Sequence, residues 1–272
     1  MTDVGRLADQ ILGARDLGAM LAALPSSEDP AFDLATAYRV EAACVERRRA
    51  AGHTTAGLKV GFANKAVWRA LKLSTLVWAH LYDDTVHSAA GGRATLSMER
   101  MRAPKIEPEI VFKLRRPIAL GETDPEAVLD AVESLALGFE IVDCPFPGWV
   151  FQPPDFVAAL GFHAALVVGE AQTVTPAAIP ALVEALPRFT IQLALDDTVV
   201  EQGGGRNSLR SPALCLAELA VALARREGAQ PLTAGDLVST GSLTEARPIT
   251  GSQTWTATVA GLALPPLTLQ LQ

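Results

Sequence analysis

Three glutamates stand where core strands would otherwise run unbroken. Glu107-Pro-Glu109 leads into Ile110-Val-Phe112, and Glu140 sits inside Leu135-Ala-Leu-Gly-Phe-Glu-Ile-Val142. A fold carries carboxylates into apolar strands only when a cation or hydrogen-bond donors compensate them. Three oxygen donors of this kind suit a hard divalent cation such as Mg²⁺ or Mn²⁺. On a strand, Glu107 and Glu109 project from one face, because side chains alternate. Pro108 between them lacks an N–H, which predicts a strand end or an edge. Alone, this Glu-Pro-Glu reads more readily as a solvated acidic turn ahead of a buried strand. Glu140, flanked by Phe139 and Ile141, has no such explanation, and the three together predict a metal site.

Composition narrows the function further. The chain has 272 residues, 49% hydrophobic and 19% charged, enough for one large domain with a sizeable core. The net charge of -7, with no basic cluster beyond Arg47-Arg48-Arg49, argues against nucleic acid as a partner. That triplet falls late in a predicted helix, where it complements the dipole. Cys44, Cys144 and Cys215 are widely separated and form neither a disulfide framework nor a zinc motif. The N-terminus lacks a basic segment followed by an apolar stretch, and no run of 18 apolar residues occurs, so a cytoplasmic protein with no membrane partner is expected.

Residues 1–52 read as helices broken at Pro25-Ser-Ser27. After Gly52 the texture changes to strands: 57–61, 76–82, 106–114, 137–142, 161–168, 189–195, 237–241 and a terminal hairpin over 254–271. Asp124-Pro125 starts one intervening helix as N-cap and first helical residue. The strands lack the even spacing of β-α units. The expected fold is therefore α+β, with a helical N-terminal lobe (1–54) on a distorted, mixed β body (55–272).

Other polar positions carry two readings each. Lys59, between Leu58 and Val60 and bracketed by Gly57 and Gly61, is either a snorkelling lysine or an ammonium aimed into a cleft. Asp83-Asp84 closes an apolar strand, as a turn signal or as an acid/base pair. Gly203-Gly-Gly205 lacks the companions of a phosphate loop and reads as a flexible turn. His53, His80, His87 and His163 show no zinc spacing; His80 and His163, in apolar runs, read as core or pocket wall. Of the tryptophans, Trp149 is the best candidate for a pocket wall.

Five segments, in order, resemble the fumarylacetoacetate hydrolase superfamily, and within it the 2-keto-4-pentenoate hydratase and 2-oxo-3-hexenedioate decarboxylase branch. They are Gly57-Leu-Lys-Val-Gly61, Leu81-Tyr-Asp-Asp84, Lys105-Ile-Glu-Pro-Glu-Ile110, Gly138-Phe-Glu-Ile-Val-Asp143 and Leu237-Val-Ser-Thr-Gly-Ser242. The resemblance implies a distorted mixed β-barrel or roll with helices outside, and a dimer-based homo-oligomer. It implies that Glu107, Glu109 and Glu140 bind Mg²⁺ or Mn²⁺ and that Lys59 with Asp84 or Asp83 serves catalysis. Gly61, Leu81, Thr240, Gly241 and Ser242 would contact substrate. The chain departs from the branch at Phe62-Ala-Asn64 and at Cys144-Pro-Phe-Pro-Gly-Trp149 through Gly161, both at the expected pocket.

The activity so implied is metal-dependent addition of water to a 2-hydroxy-2,4-dienoate, giving a 4-hydroxy-2-oxo acid in the catabolism of aromatic compounds. Its alternatives are decarboxylation of a 2-oxo-3-hexenedioate on the same site, or silent binding of a 2-oxo acid. In each case the partner is a small 2-oxo or 2-hydroxydienoate acid.

Overall fold

The computed structural model describes residues 2–272. Three helices open the chain: α1 (Val4–Leu17), α2 (Pro25–Glu28) and α3 (Leu34–Ala50). Asp3 and Asp33 cap the first and third through side-chain bonds to the backbone N–H groups of Arg6 and Thr36. Gly18, at φ +61°, ends α1 in the left-handed conformation that glycine adopts without strain. The later helices are α4 (Lys65–Trp68), α5 (Pro125–Asp130), α6 (Pro153–Ala158), α7 (Ile179–Ala185) and α8 (Pro212–Ala224). Asp124 and Pro125 hold the cap and first helical positions of α5, as their order in the sequence predicts. Among the described residues no helix is long and apolar enough to cross a membrane.

The strands are β1 (Thr55–Gly61), β2 (Val77–Tyr82), β3 (Val86–Ser88), β4 (Arg93–Leu96), β5 (Pro104–Leu114), β6 (Val132–Asp143), β7 (His163–Val168), β8 (Gln172–Thr173), β9 (Thr190–Leu195), β10 (Thr198–Gly204), β11 (Leu237–Ser239), β12 (Arg247–Pro248), β13 (Thr254–Ala260) and β14 (Leu267–Leu271). They form two curled sheets. One runs β2-β1-β11-β5-β6-β7-β3, with β12 also on β5 and β8 on β6; the other runs β10-β9-β13-β14-β4. Both sheets mix parallel and antiparallel pairs. The α+β class and mixed β body read from the sequence are those observed.

Alternation decides what each face carries. Leu58 and Val60 of β1, Ile106, Ile110 and Phe112 of β5, and Leu135, Leu137, Phe139 and Ile141 of β6 join Trp255, Leu267 and Leu269 of the second sheet in the main core. Residues of opposite parity, including Lys59, Glu107, Glu109 and Glu140, therefore leave the other face. A second apolar cluster covers that side. There Leu7 and Ile11 of α1 and Val40 and Cys44 of α3 pack with Phe146, Phe156, Val157 and Phe162.

Two details differ from expectation. Pro108 lies inside an eleven-residue central strand rather than at an end or edge. On one side of β5 the neighbours β11 and β12 leave a gap between Ser239 and Arg247. A turn fills it, and the Leu243 N–H donates to the Pro108 carbonyl, so proline fits between the two partner strands. Gly203 and Gly204 are strand residues of β10, not a flexible turn. A Cβ on Gly203 would lie 1.9 Å from the Leu243 carbonyl oxygen, and one on Gly205 1.7 Å from that of Leu186. The glycines are required by close backbone approach.

A buried carboxylate cluster as a candidate metal centre

Four neighbouring strands, β1, β11, β5 and β6, build the site. The β5–β6 register sets Glu107 directly opposite Glu140 and Glu109 opposite Gly138. One ligand oxygen from each of Glu107, Glu109 and Glu140 lies within 4.8 Å of the others. Like charges facing each other across an antiparallel pair repel, so this arrangement persists only with compensation. Gly138 has a structural reason as well: a Cβ there would stand 2.5 Å from Val111 Cγ2.

The compensation on hand is partial. Glu109 Oε2 accepts from Ser239 Oγ at 2.5 Å and from the Gly241 N–H at 2.8 Å. Gly241, at φ +87°, turns the chain so that this N–H reaches the carboxylate. Glu140 Oε1 meets His163 Nδ1 at 3.0 Å, and Glu140 Oε2 lies 3.0 Å from Lys59 Nζ. The Lys59 ammonium also donates to the Gly161 carbonyl at 2.9 Å. Among the described residues Glu109 Oε1 has no hydrogen-bond partner, and Glu140 Oε2 has none beyond its ion pair with Lys59. Both side chains are fully buried.

Titration behaviour follows from that imbalance. Burial pushes the Glu107 carboxyl up to about 7, with Lys59 opposing and Glu140 adding to the rise. Burial, then Glu140 and Glu107, holds Glu109 well above the usual carboxylate range. Burial raises Glu140 too, against the pull of Lys59. Burial alone would lower the Lys59 pKa, but Glu140, Glu107 and Glu109 outweigh it and keep the ammonium protonated. Burial, with Arg15 and Lys59 nearby, holds His163 well below its ordinary value and hence neutral. One lysine faces three carboxylates and two oxygens lack directed donors. An oxygen-only donor set with an excess of negative charge fits a hard dication.

The cluster opens into a cavity of ≈ 510 Å³. Lys59, Gly61 and Glu107 stand at one side, with Gly241, Ser242 and Thr244 from the turn after β11. Phe62, Trp149, Phe151, Phe156 and Phe162 give the lining its aromatic part.

Relatives point the same way. The chain is 29% identical over 191 residues to 2-hydroxypent-2,4-dienoate hydratase of Pseudomonas putida, covering 70% of this chain and 82% of that one. It is 28% identical over 218 residues to a 4-oxalocrotonate decarboxylase of a Pseudomonas species, covering 80% of each. The structure superimposes on 4-oxalocrotonate decarboxylase of Pseudomonas putida G7, complexed with magnesium and adipate. The TM-score is 0.88 at 24% identity, over 100% of this chain and 99% of that one. Fumarylpyruvate hydrolase of Pseudomonas aeruginosa, in complex with Mn²⁺ and pyruvate, matches with a TM-score of 0.56 at 16% identity, over 80% and 89% of the two chains. No family model matches the chain. The chain is thus similar in sequence to hydratases and decarboxylases of this kind and shares the fold of fumarylacetoacetate hydrolase proteins.

Against the superfamily motifs, the residues divide into those the fold gathers and those it does not. Lys59, Gly61, Glu107, Gly241 and Ser242 line the cavity, with Glu109 and Glu140 buried beside them. Gly61 admits the Phe156 ring, which would lie 2.5 Å from a Cβ. Thr240 lies outside the lining: its N–H and hydroxyl both donate to the Ile110 carbonyl, pinning the turn to β5. Leu81 is fully buried against Val111 and Leu166.

Asp83 and Asp84 are not at the cavity. The antiparallel pairing puts Tyr82 opposite Thr55, at the start of β1, whereas Lys59 sits further along opposite Ala79. The two aspartates project beyond that end. Asp84, 40% exposed, pairs with Arg48 at 2.5 Å, and Asp83, 46% exposed, accepts from Thr54 Oγ1 at 3.0 Å. Their expected place beside Lys59 is therefore corrected by strand register. Asp84 instead lines a separate hollow with Arg15, Arg48, Asp143 and His163.

His163 is the site residue the sequence concealed. It occupies the start of β7, Thr85 Oγ1 lies 2.9 Å from its Nε2, and the Arg15 guanidinium donates to its carbonyl. Its signal was faint: one polar residue in an apolar run, with no spacing to link it to Glu140.

Proposed function

We propose that this protein is a hydratase dependent on Mg²⁺ or Mn²⁺. It adds water to a 2-hydroxy-2,4-dienoate and yields a 4-hydroxy-2-oxo acid, as a step in breaking down aromatic compounds. The observation that supports it most is the convergence of Glu107, Glu109 and Glu140 with Lys59 at the floor of one cavity. The three glutamates would hold the cation, with Ser239 and the Gly241 N–H fixing Glu109 and His163 fixing Glu140. When bound, the metal supplies Lewis acidity toward the carboxylate and 2-oxygen of the substrate.

The chain's own residues account for the rest. An ammonium has three N–H donors. Lys59 uses two, on Glu140 and Gly161, and keeps one for the cavity. That donor neutralises the substrate head and passes a proton as the dienol becomes the conjugated ketone to which water adds. With Asp83 and Asp84 outside the cavity, Lys59 takes the acid/base role they were expected to share. The Phe156 ring, its centroid 5.0 Å from Lys59 Nζ, keeps bulk water from the ammonium. The dimer-based assembly implied by the resemblance and the cytoplasmic setting expected from the sequence belong to this proposal.

Decarboxylation of a 2-oxo-3-hexenedioate is the second reading, favoured by relatives of that activity and served by the same floor. The test is turnover of 2-hydroxypenta-2,4-dienoate, followed as loss of dienoate absorbance, before and after chelation. Activity should vanish with the metal and return with Mg²⁺ or Mn²⁺; unchanged turnover in metal-free protein would reject the proposal.

A further inference from the structure

The aromatic part of the cavity lining speaks to the far end of the substrate. It is built from one aromatic cluster. Phe156 packs on Phe62 with ring centroids 5.1 Å apart, on Phe162 at 5.0 Å and on Phe151 at 6.1 Å. Phe162 also meets Phe151 at 4.6 Å and Trp149 at 5.9 Å, both edge to face. Phe156 and Phe162 are buried, and Trp149 and Phe151 half-buried toward solvent. The cluster thus extends from above Lys59 toward the opening.

The cluster is also anchored. Asp155 of α6 accepts from the Ser26 N–H and hydroxyl at 2.8 and 2.6 Å and from the Gln152 N–H at 2.9 Å. Trp149 Nε1 donates to the Ala103 carbonyl at 3.0 Å. The rings are therefore held in place before any ligand arrives, which lowers the entropy lost on binding.

Among the described residues, the aromatic part of the lining carries no charged side chain. Among the described residues Lys59 is the only cation lining the cavity, and Glu140 and Gly161 already engage it. The other charged lining residues are acids, Glu107 at the floor and Glu245 elsewhere. A further cation nearby is Lys105. Its ammonium stands 3.9 Å from the Trp149 ring centroid, and it does not line the cavity. Burying a carboxylate against aromatic rings without a partner is costly, whereas burying an alkyl or aryl group there is favourable. The volume of ≈ 510 Å³ lies within the ordinary range for small-molecule sites, roughly 300–1,000 Å³, and leaves room beyond a short keto acid.

We infer that the substrate is a monocarboxylate: a 2-hydroxydienoate whose far end is an uncharged alkyl or aryl group packed on Phe151, Phe156, Phe162 and Trp149. The inference rests on the hydratase proposal for the head of the substrate and deepens it for the tail. It sets this chain apart from its structural neighbour, which was solved with the dicarboxylate adipate.

The experiment compares two acids with one head, 2-oxohexanoate and 2-oxoadipate, by calorimetric titration of Mn²⁺-loaded protein, with oxalate as a probe of the head alone. The expected result is that oxalate binds and that 2-oxohexanoate binds at least tenfold more tightly than 2-oxoadipate. Phe151→Arg, at a half-exposed ring, should narrow or reverse that preference while leaving oxalate unchanged. Oxalate binding with equal or tighter binding of 2-oxoadipate, or with neither longer acid bound, would overturn the tail inference alone. If Lys105→Met then abolished a preference for 2-oxoadipate, the far carboxylate would belong to Lys105. Failure of oxalate as well would overturn the reading of the head, and the tail with it.

Discussion

Replacing Glu107 by glutamine should stabilise the metal-free protein, and increasingly so as pH rises. Glu107 titrates near 7 in the folded chain because burial disfavours its charge, against about 4.3 in an unfolded one. A carboxyl raised on folding costs nothing below the unfolded value. Between the two values the unfolded chain releases its proton and the folded chain keeps it, so stability falls as pH rises. Each pH step of one costs about 1.4 kcal/mol, which over the interval approaches roughly 4 kcal/mol. Glu107 keeps some contact with water, and solvent screening brings the expectation to about 2 kcal/mol. Urea unfolding of wild type and Glu107→Gln in chelator, at pH 5, 6, 7 and 8, isolates this group by difference. The variant should come closest to wild type at pH 5 and exceed it by about 2 kcal/mol at pH 8. Saturating Mn²⁺ should reverse the order, since only wild type gains binding energy; at a hundred times Kd that gain is about 2.7 kcal/mol. A difference that does not change with pH would refute the assignment of Glu107 as a strained carboxyl.

Lys59→Met should lower kcat at least a hundredfold while Mn²⁺ binding, followed by electron paramagnetic resonance, persists; normal turnover would remove Lys59 from the chemistry. Asp84→Asn should leave kcat within about threefold of wild type and cost roughly 1 kcal/mol in urea unfolding, because it removes the charge beside Arg48 and His53, away from the cavity. A hundredfold kcat loss would return Asp84 to the active site. His163→Ala removes the contact at Glu140 Oε1 and should weaken Mn²⁺ binding by about tenfold or more. His163→Asn, which still offers a donor, should recover part of that loss, and equal Mn²⁺ affinity in all three proteins would show that His163 does not hold Glu140.

The glutamates were legible because their surroundings contradicted their charge. Glu140 between Phe139 and Ile141 announced a compensated site, and the two-residue step from Glu107 to Glu109 fixed their common face. Lys59 was legible for the same reason, as a charge between Leu58 and Val60 on a strand. Residues whose place depends on pairing were not. Asp83 and Asp84 follow β2 closely in sequence, but antiparallel register carries them past the start of β1, away from Lys59. Whether Thr240 meets substrate or backbone is settled by the turn beside Ile110, which no local pattern reveals. Pro108 misled because a central strand with a gap between two partners looks, in sequence, like an edge. The aromatic wall was half visible. Trp149 stood out in its loop, whereas Phe62, Phe156 and Phe162 come together only because α1 and α3 pack on α6 and its neighbours.

The central claim is that Glu107, Glu109 and Glu140 share one divalent ion with an open side toward the cavity. A crystal soaked with Mn²⁺ and oxalate and measured for anomalous scattering at the manganese edge tests it directly. One peak should appear within about 2.3 Å of an oxygen from each glutamate, with oxalate completing the coordination below Phe156. A peak at the exposed His53, Asp83 and Asp84 cluster instead, with none between the glutamates, would contradict it.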